Sequence, residues 1–352
     1  MVFFCIGMPS RFDEWCRAVT ARLVERALGP VAETYADTPE QFLSAVLTAE
    51  KPYLVAGSSQ IISQLWIALA EANKPFILVL DHPHHAIEHF VVRHGAEFLE
   101  ATRTVAKSCA SVVSCAALPG ALVLDAERDS IDLPAAAAAI ARHFGLAVDE
   151  TGIADAVTAL GDFDLRSDPQ EHRAWWQGLA EEQRALVAGA VDPYLARLAG
   201  RDPAPLTWAR DLFFMNEEPS SGEIDPPASR PIDITGRQRH IFHGPYITLP
   251  PGAWSVTIAL GFSAEAAELS YRVEVCGGTG IALDGVNLPP GQERVVELAL
   301  NFSLNAPDLI DIHILNERAA FDGRLAVGHA VITPVGGIRP ETRSYLETAL
   351  AG

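Results

Sequence analysis

Hydrophobic residues follow two different periods along the chain. In the first 150 residues, short apolar runs alternate with longer segments of helical period, which is typical of a mostly parallel sheet covered by helices. The predicted strands are Val2 to Gly7, Tyr53 to Ala56, Phe76 to Leu80 and Ala121 to Asp125; the predicted helices are Phe12 to Leu28, Ser59 to Ala72, His84 to His94 and Leu133 to Phe144. Asp132 and Pro134 supply a cap and a first-turn proline for the last helix.

Apolar residues continue at helical spacing through residues 151 to 213. We therefore assign 1–213 to an α/β domain that ends in additional helices. Between Asn216 and Arg230 the chain is rich in Glu, Ser, Gly and Pro, and we place a linker at 214–230. We expect a short helix in the tail, 337–352.

The period then changes to two, which predicts an antiparallel, jelly-roll-like β-sandwich over residues 231–336. Its clearest strands surround Trp254, Tyr271, Val296 and Ile310, with glycine and proline turn signals between them. Trp254 and Tyr271 share their strand faces with aliphatic residues, so we expect both in the core rather than against a ligand.

Composition and net charge exclude several classes of partner for this protein. The 352 residues carry a formal charge of -19, which repels phosphate backbones and anionic bilayers, so we expect neither a nucleic-acid partner nor membrane insertion. No apolar run reaches the ~20 residues of a bilayer span, and the first residues lack the basic flank of a signal peptide. The five cysteines are scattered, which favours reduced core thiols. We predict a cytoplasmic protein.

The first predicted strand runs into Gly7-Met8-Pro9-Ser10-Arg11, where a nucleotide-binding α/β domain places its phosphate loop. The segment from Phe4 to Pro9 resembles the start of the sulfotransferase family, whose loop usually continues Arg-Ser-Gly-Thr. Phe76 to Pro83 resembles that family's strand ending in Arg-Asp-Pro, and Ala121 to Val148 resembles its late strand and helix. The resemblance implies a phosphosulfate donor site at Gly7, Pro9, Ser10 and Arg11.

Several residues depart from the family pattern. The loop has no glycine after Gly7, and Asp13 and Glu14 bring two carboxylates to the helix start that would bind the anion. Where the family uses an arginine and, eight residues on, a serine for the 3′-phosphate, this chain has Asp81 and His89. We therefore predict a domain that keeps the fold and has lost its nucleotide site, with no cofactor.

Two other candidate sites lie in this domain. Ser58, between a strand and a helix, is either an anion ligand or an ordinary N-cap serine, and we favour the cap. His85-Ala-Ile-Glu88-His89 matches the His-x-x-Glu-His pattern of inverted zinc peptidases, with Glu150 or Asp164 as a third ligand. We favour a polar helix at the sheet edge over a peptidase, and rate His85 and His89 as weak metal candidates only.

The sandwich is loosely similar to carbohydrate-binding sandwiches and to modules found beside bacterial polysaccharide-making proteins, through the segment from His240 to Gly252. Sugars are held by aromatic faces and planar polar groups. The residues expected to bind a glycan are His243, Tyr246, Asp311, His313, Arg318 and Phe321.

Three hypotheses follow. The first is a noncatalytic accessory or glycan-binding protein of bacterial surface-polysaccharide metabolism, with a glycan or a polysaccharide-assembly protein as its partner. The second is an active glycan sulfotransferase using phosphoadenosine phosphosulfate, in which His82 or His85 deprotonates the sugar hydroxyl. The third is a scaffold that forms a homo-oligomer through a sheet face or edge.

Overall fold

The computed structural model describes residues 1–59, 73–116, 118–161, 169–198, 201–215, 231–291 and 294–335. The chain divides into two compact units, the first comprising Met1–Leu179 and the second beginning at Ala180. Among the described residues, no helix is both long and apolar enough to cross a bilayer.

The first unit is built on a parallel sheet of five strands in the order β2-β3-β1-β4-β5. Buried apolar runs make its central strands, as the sequence predicts for a sheet covered on both faces. The strands are β1 Val2–Gly7, β2 Val31–Tyr35, β3 Tyr53–Ser58, β4 Phe76–Leu80 and β5 Ala121–Asp125.

Helices follow strands β1, β2, β4 and β5 of this sheet. Helix α1 buries Phe12 and Trp15, whose rings stack with centroids 5.7 Å apart, in the core under the sheet. Asp132 caps a later helix by accepting from the backbone N–H of Ala135 at 3.0 Å, which confirms the predicted cap. The helices are α1 Arg11–Leu28, α2 Pro39–Thr48, α3 Pro83–His94, α4 Phe98–Cys115, α5 Ala126–Asp129, α6 Leu133–His143, α7 Glu150–Thr158 and α8 Pro169–Gly178.

The sequence pattern missed four of these elements, β2, α2, α4 and the short α5, and gave α7 and α8 only as part of a helical region; it located the others closely. Strand β2 was missed because the polar residues Glu33 and Thr34 interrupt its apolar positions. Helices α2 and α4 were not predicted either. The helix predicted from Ser59 to Ala72 falls, apart from Ser59, outside the described residues.

The second unit holds two antiparallel sheets, which confirms the predicted sandwich architecture. One sheet has the order β13-β12-β15-β9-β7 with β10 paired to β15, and the other has the order β14-β11-β16-β6 with β8 paired to β16. Its elements are α9 Glu181–Leu198, α10 Ala264–Ala267, β6 Leu206–Trp208, β7 Phe214–Met215, β8 Ile232–Asp233, β9 His240–His243, β10 Pro245–Leu249, β11 Gly252–Phe262, β12 Tyr271–Cys276, β13 Ala282–Leu288, β14 Val295–Leu304, β15 Asp308–Asn316 and β16 Arg324–Pro334. Trp254 and Tyr271 are fully buried in its core, as predicted.

The helix α9 groups with the sandwich, whereas the sequence pattern assigned it to the first domain. It packs on β6 and β10. The indole N–H of Trp208 donates to the carbonyl of Gly189 at 3.3 Å, and a Cβ built on Gly189 would lie 3.1 Å from the Trp208 ring. The helix therefore packs within the second unit, and the unit boundary lies before the predicted linker. Residues 216–230 of that linker and the tail from 337 on lie outside the described residues.

Candidate functional site

The loop after β1 turns directly into α1, and Ser10 begins that helix. The Ser10 hydroxyl accepts a hydrogen bond from the backbone N–H of Asp13 at 3.2 Å, so Ser10 caps the helix. Met8 is buried, with 1% of its surface exposed. Ser10 of this loop therefore caps the helix, and Met8 packs in the core.

Asp13 fills the space beside the loop glycine. Its Oδ1 atom lies 2.9 Å from a Cβ built on Gly7, and its Oδ2 atom accepts from Nε of Arg17 at 3.1 Å. Burial raises the pKa of the Asp13 carboxyl to about 6, while Arg17 acts in the opposite direction. A carboxylate held against Gly7 repels an incoming phosphate from the place where the family resemblance implies one.

Glu14 reaches the neighbouring helix α3. Its Oε1 atom lies 3.3 Å from Nε2 of His89 and 3.3 Å from Nε2 of His94, and its Oε2 atom lies 3.5 Å from Nη2 of Arg93. The hydrogen bond with His89 lowers the pKa of Glu14 below its usual value, with Arg93 and His94 adding to the effect and burial opposing it. His89, at the position of the family's phosphate-binding serine, is therefore engaged by an acid of the chain itself.

The Gly57-Ser58-Ser59 loop at the end of β3 faces Asp37. The Asp37 carboxylate accepts from the Ser58 hydroxyl at 3.1 Å, from the Ser59 backbone N–H at 2.7 Å and from the Ser59 hydroxyl at 3.0 Å. These are the donors that an external anion would use. Ser58 therefore donates to an internal carboxylate. The N-cap interpretation stays a prediction, because the predicted helix after Ser59 lies outside the described residues.

Asp81 and the histidines after it lie at the carboxyl end of β4. Asp81 Oδ1 accepts from the backbone N–H of His82 at 2.6 Å and lies 3.8 Å from Nδ1 of His85. His82 caps α3 by accepting from the backbone N–H of His84 at 3.3 Å. Burial lowers the pKa of His82 to about 4, whereas the neighbouring Asp81 carboxylate raises the pKa of His85. The pKa values of the two predicted bases, His82 and His85, are therefore shifted in opposite directions.

Helix α8 covers the other side of this histidine group. Glu88 forms a short hydrogen bond with Nδ1 of His172, and the His85 and His172 rings meet edge to face with centroids 4.2 Å apart. His84 stacks on Trp176 at 4.3 Å. Glu88, the acid of the His-x-x-Glu-His match, thus pairs with a histidine that sequence reasoning had not singled out.

One group of metal-ligating atoms is assembled among the described residues: Glu14, His89 and His94, with the three ligand atoms within 4.8 Å of one another. It contains His89 of the predicted pair but neither His85 nor the predicted third ligand Glu150, and Asp164 lies outside the described residues. Nothing in the sequence signals that Glu14 and His89, 75 positions apart, form a pair.

In the second unit, the outer face of the β9–β15 sheet carries aromatic and polar side chains. The Tyr246 hydroxyl lies 2.7 Å from Nδ1 of His243. The Phe214 ring stacks near the His243 ring at 5.7 Å and lies 6.2 Å from the Tyr246 ring. Phe214 was missed from the sequence because its strand, β7, has only two residues and shows no period.

The next positions of the same face belong to β15. Ile310, Ile312 and Ile314 point into the core, so the intervening side chains of Asp311 and His313 lie on the opposite face. Asp311 forms a short hydrogen bond with Nε2 of His313 and accepts from the backbone N–H of Gly244 at 2.5 Å.

Two neighbours extend this group. His240 meets the His313 ring edge to face at 4.9 Å. Cys276 lies 3.7 Å from Nδ1 of His313, and burial raises the pKa of its thiol to about 11, so it is a neutral neighbour and not an activated nucleophile. His240 and Cys276 were not among the predicted ligands.

Four of the six predicted glycan ligands are therefore joined through Gly244 and the strands beside it, while the other two lie in the segment after β15. The Arg318 carbonyl accepts from Nδ2 of Asn316 at 2.9 Å. Phe321 is 98% exposed, and the described contacts do not connect it to Tyr246 or His313.

Comparison with known proteins gives structural likenesses. No family model and no curated protein matches the sequence. Similar solved structures include mouse sulfotransferase SULT7A1 complexed with PAP, at a TM-score of 0.35 and 10% identity over 52% of this chain and 79% of that one. The xylan-binding module CBM15 has a TM-score of 0.28 and 11% identity over 38% of this chain and 100% of that module.

The C-terminal CBM6 of LamC, a marine laminarinase from Zobellia galactanivorans, is a third similar structure. Its TM-score is 0.21 and its identity 12%, over 37% of this chain and 98% of that module.

Proposed function

We propose that this chain is a noncatalytic, glycan-binding accessory protein of bacterial surface-polysaccharide metabolism, acting in the cytoplasm, whose sulfotransferase-like domain has lost its nucleotide site. The observation that carries the proposal is the outer face of the β9–β15 sheet, where Tyr246 and His243 adjoin Asp311 and His313.

Such a face suits a sugar for two reasons. Aromatic faces pack on the C–H surfaces of pyranose rings, and Phe214 and Tyr246 supply two rings 6.2 Å apart. Planar polar groups held in fixed orientations select the hydroxyl pattern, and Asp311 is fixed by the backbone of Gly244 and by His313. Pairing these groups in advance lowers the entropy cost of binding.

The contacts of the first unit support the loss of the donor site. Asp13 lies against Gly7, Glu14 engages His89, and Asp37 holds the donors of the Ser58 loop. A phosphosulfate donor would have to displace these carboxylates or bind beside them, at a repulsion on the order of 1 to 4 kcal/mol for each charge within ~4 Å. We therefore propose no nucleotide cofactor.

The glycan test is an array probed with the full chain, followed by calorimetry on the glycans that bind. We expect Tyr246→Ala to reduce affinity at least about 10-fold, since aromatic contacts dominate sugar binding. Tyr246→Phe keeps the ring and separates stacking from the hydroxyl's contact with His243. Phe321→Ala is the matched control, because that exposed ring lies outside the joined group. An array without hits would favour the oligomeric scaffold.

The nucleotide test is calorimetry with adenosine 3′,5′-bisphosphate. We expect no heat of binding. The sulfotransferase remains the second candidate function, because Asp81 and His85 form a pair at the carboxyl edge of the parallel sheet, where ligands bind in α/β folds. Micromolar affinity that disappears in Arg11→Ala would contradict the loss of the nucleotide site and favour the sulfotransferase.

A further inference from the structure

Glu14, His89 and His94 present three metal-ligating atoms to one point. Oε1 of Glu14 lies 3.3 Å from Nε2 of each histidine, and all three atoms lie within 4.8 Å of one another. Two imidazoles and one carboxylate are a donor set that Zn²⁺ accepts, with three protein ligands and a fourth position for water.

The spacing fits a small tetrahedral ion. With metal–ligand distances of about 2.0 to 2.2 Å, the edge of a coordination tetrahedron is about 3.3 to 3.5 Å. Both carboxylate–imidazole distances equal such an edge. The third distance, between the two imidazole nitrogens, is at most 4.8 Å, so the two rings would move toward each other around a bound cation.

The fold holds the ligands on two helices that follow neighbouring strands. Glu14 belongs to the first turn of α1, after β1, and both histidines belong to α3, after β4. These connections leave the sheet in opposite directions, because α1 leads to β2 on one side and the chain after α3 leads to β5 on the other. Crevices for ligands form at such points of α/β sheets.

Burial leaves one side of the group open. The side chain of His89 is 3% exposed and that of Glu14 is 19% exposed, whereas that of His94 is 46% exposed. Arg93 lies 3.5 Å from the other carboxylate oxygen, Oε2, so it fixes the carboxylate and leaves Oε1 to the histidines. An ion bound here would have two anchored ligands and access to solvent on the side of His94.

We propose that Glu14, His89 and His94 bind one divalent transition-metal ion, with Zn²⁺ as the preferred ion and water in the fourth position. The site lies in the first unit and is independent of the proposed glycan face.

The test uses the full chain purified without a histidine tag and treated with a chelator. Calorimetry with Zn²⁺ should show one ion per chain, and Co²⁺ should give the visible absorption of a tetrahedral site. We expect His94→Ala, a change at a half-exposed residue, to weaken Zn²⁺ binding at least about 10-fold. Glu14→Gln, which keeps the size of the side chain, should do the same, with circular dichroism confirming that both variants fold.

Two further variants separate this site from the other histidines. His329→Ala, an exposed histidine of the second unit, is the control and should leave Zn²⁺ binding unchanged. His85→Ala removes a member of the neighbouring histidine group and should also leave it unchanged. Absence of stoichiometric zinc in the parent chain, or loss of zinc in His85→Ala but not in His94→Ala, overturns the proposal.

Discussion

Oδ1 of Asp37 accepts a hydrogen bond from the backbone N–H of Ser59 at 2.7 Å, and Oδ2 accepts from the hydroxyl of the same residue at 3.0 Å. A carboxylate that follows β2 thereby closes the loop that follows β3. The Asp37 carboxylate thus occupies the hydrogen-bond donors of the Ser58–Ser59 loop. The contact also connects the end of the edge strand β2 to the end of β3.

Asp37→Ala is expected to destabilise the protein by about 1.5 to 3 kcal/mol, the range for hydrogen bonds to charged groups. Asp37→Asn should lose less, because its amide oxygen still accepts from the loop. The free energy of unfolding from denaturant titration measures both effects. Glu33→Ala, an exposed carboxylate on β2, is the control and should change stability by less than about 0.5 kcal/mol. Equal losses in Asp37→Ala and Glu33→Ala would contradict the role of the contact.

Arg17→Ala is expected to cost about 3 kcal/mol or more at neutral pH, because it leaves the buried Asp13 carboxylate without its cation. Asp13→Asn combined with Arg17→Ala removes the charge that needed a partner, so the double variant should recover part of the loss. Thermal and denaturant unfolding of the three chains measure this coupling. A double variant as unstable as the sum of the single changes would show that the pair is not coupled.

Gly57→Ala is expected to destabilise the protein by about 1 to 3 kcal/mol through overpacking. A Cβ at this position would lie 2.2 Å from Cδ of Arg17 and 2.9 Å from Cδ2 of Tyr35. The guanidinium of Arg17 lies over the Tyr35 ring at 4.7 Å, so the side chain that must move is held in place.

Gly178→Ala is the matched control for that change. No heavy atom lies within 4 Å of the position of its Cβ, and the residue ends α8. The substitution should be neutral or stabilise by up to ~1 kcal/mol through helix propensity. Unfolding free energies of the two variants give the comparison, and a Gly57→Ala chain as stable as the parent would show that Arg17 can move aside freely.

His82 is expected to make the protein less stable as the pH falls. Its pKa in the folded chain is about 4, below the ordinary value of 6.5, so the unfolded chain binds the proton more readily. Stability is therefore complete above pH 6.5 and declines from there toward pH 4. For this partly exposed group we expect a loss of about 1 kcal/mol between pH 7 and pH 5. The charged and titratable groups facing it are Asp81, His84, His85 and His172.

His82→Asn tests this directly. Asparagine keeps an acceptor at the helix cap and does not titrate, so the variant should lose about 1 kcal/mol less than the parent over the same pH range. Denaturant unfolding at the two pH values supplies the numbers. Parallel losses in parent and variant would assign the acid sensitivity to other groups.

The periodicity of the chain was enough to predict the fold class and most of the central elements. Strands Val2–Gly7 and Phe76–Leu80 have the predicted bounds, because a buried parallel strand is a continuous apolar run. The edge strand Ala121–Asp125 is only partly buried, but its first four residues are apolar, so it was predicted as well. The other edge strand, Val31–Tyr35, was missed because the polar residues Glu33 and Thr34 interrupt its apolar positions. A local helical pattern does not say which surface the helix packs on, so the sequence could not reveal that the helix Glu181–Leu198 belongs with the sandwich.

The candidate sites were predicted less completely. The acids of the first helix and the cluster of histidines were visible as residues, but the partner of each acid was not. Glu14 meets His89 across 75 positions, and Asp37 meets Ser58 across 21, which no local pattern encodes. In the sandwich, Tyr246 and His243 were predicted together, while the nearby Phe214 comes from a strand too short to show a period.

The sequence by itself determined where apolar runs form strands, where Ser10 and Asp132 begin helices, and that two carboxylates stand in the first turn of the first helix. These are local properties, decided by side-chain volume, polarity and hydrogen-bonding reach within a few residues. Only the tertiary structure decided that Asp37 closes the Ser58 loop and that Glu14 gathers two histidines, because each contact requires two elements distant in sequence to pack at a particular depth and angle.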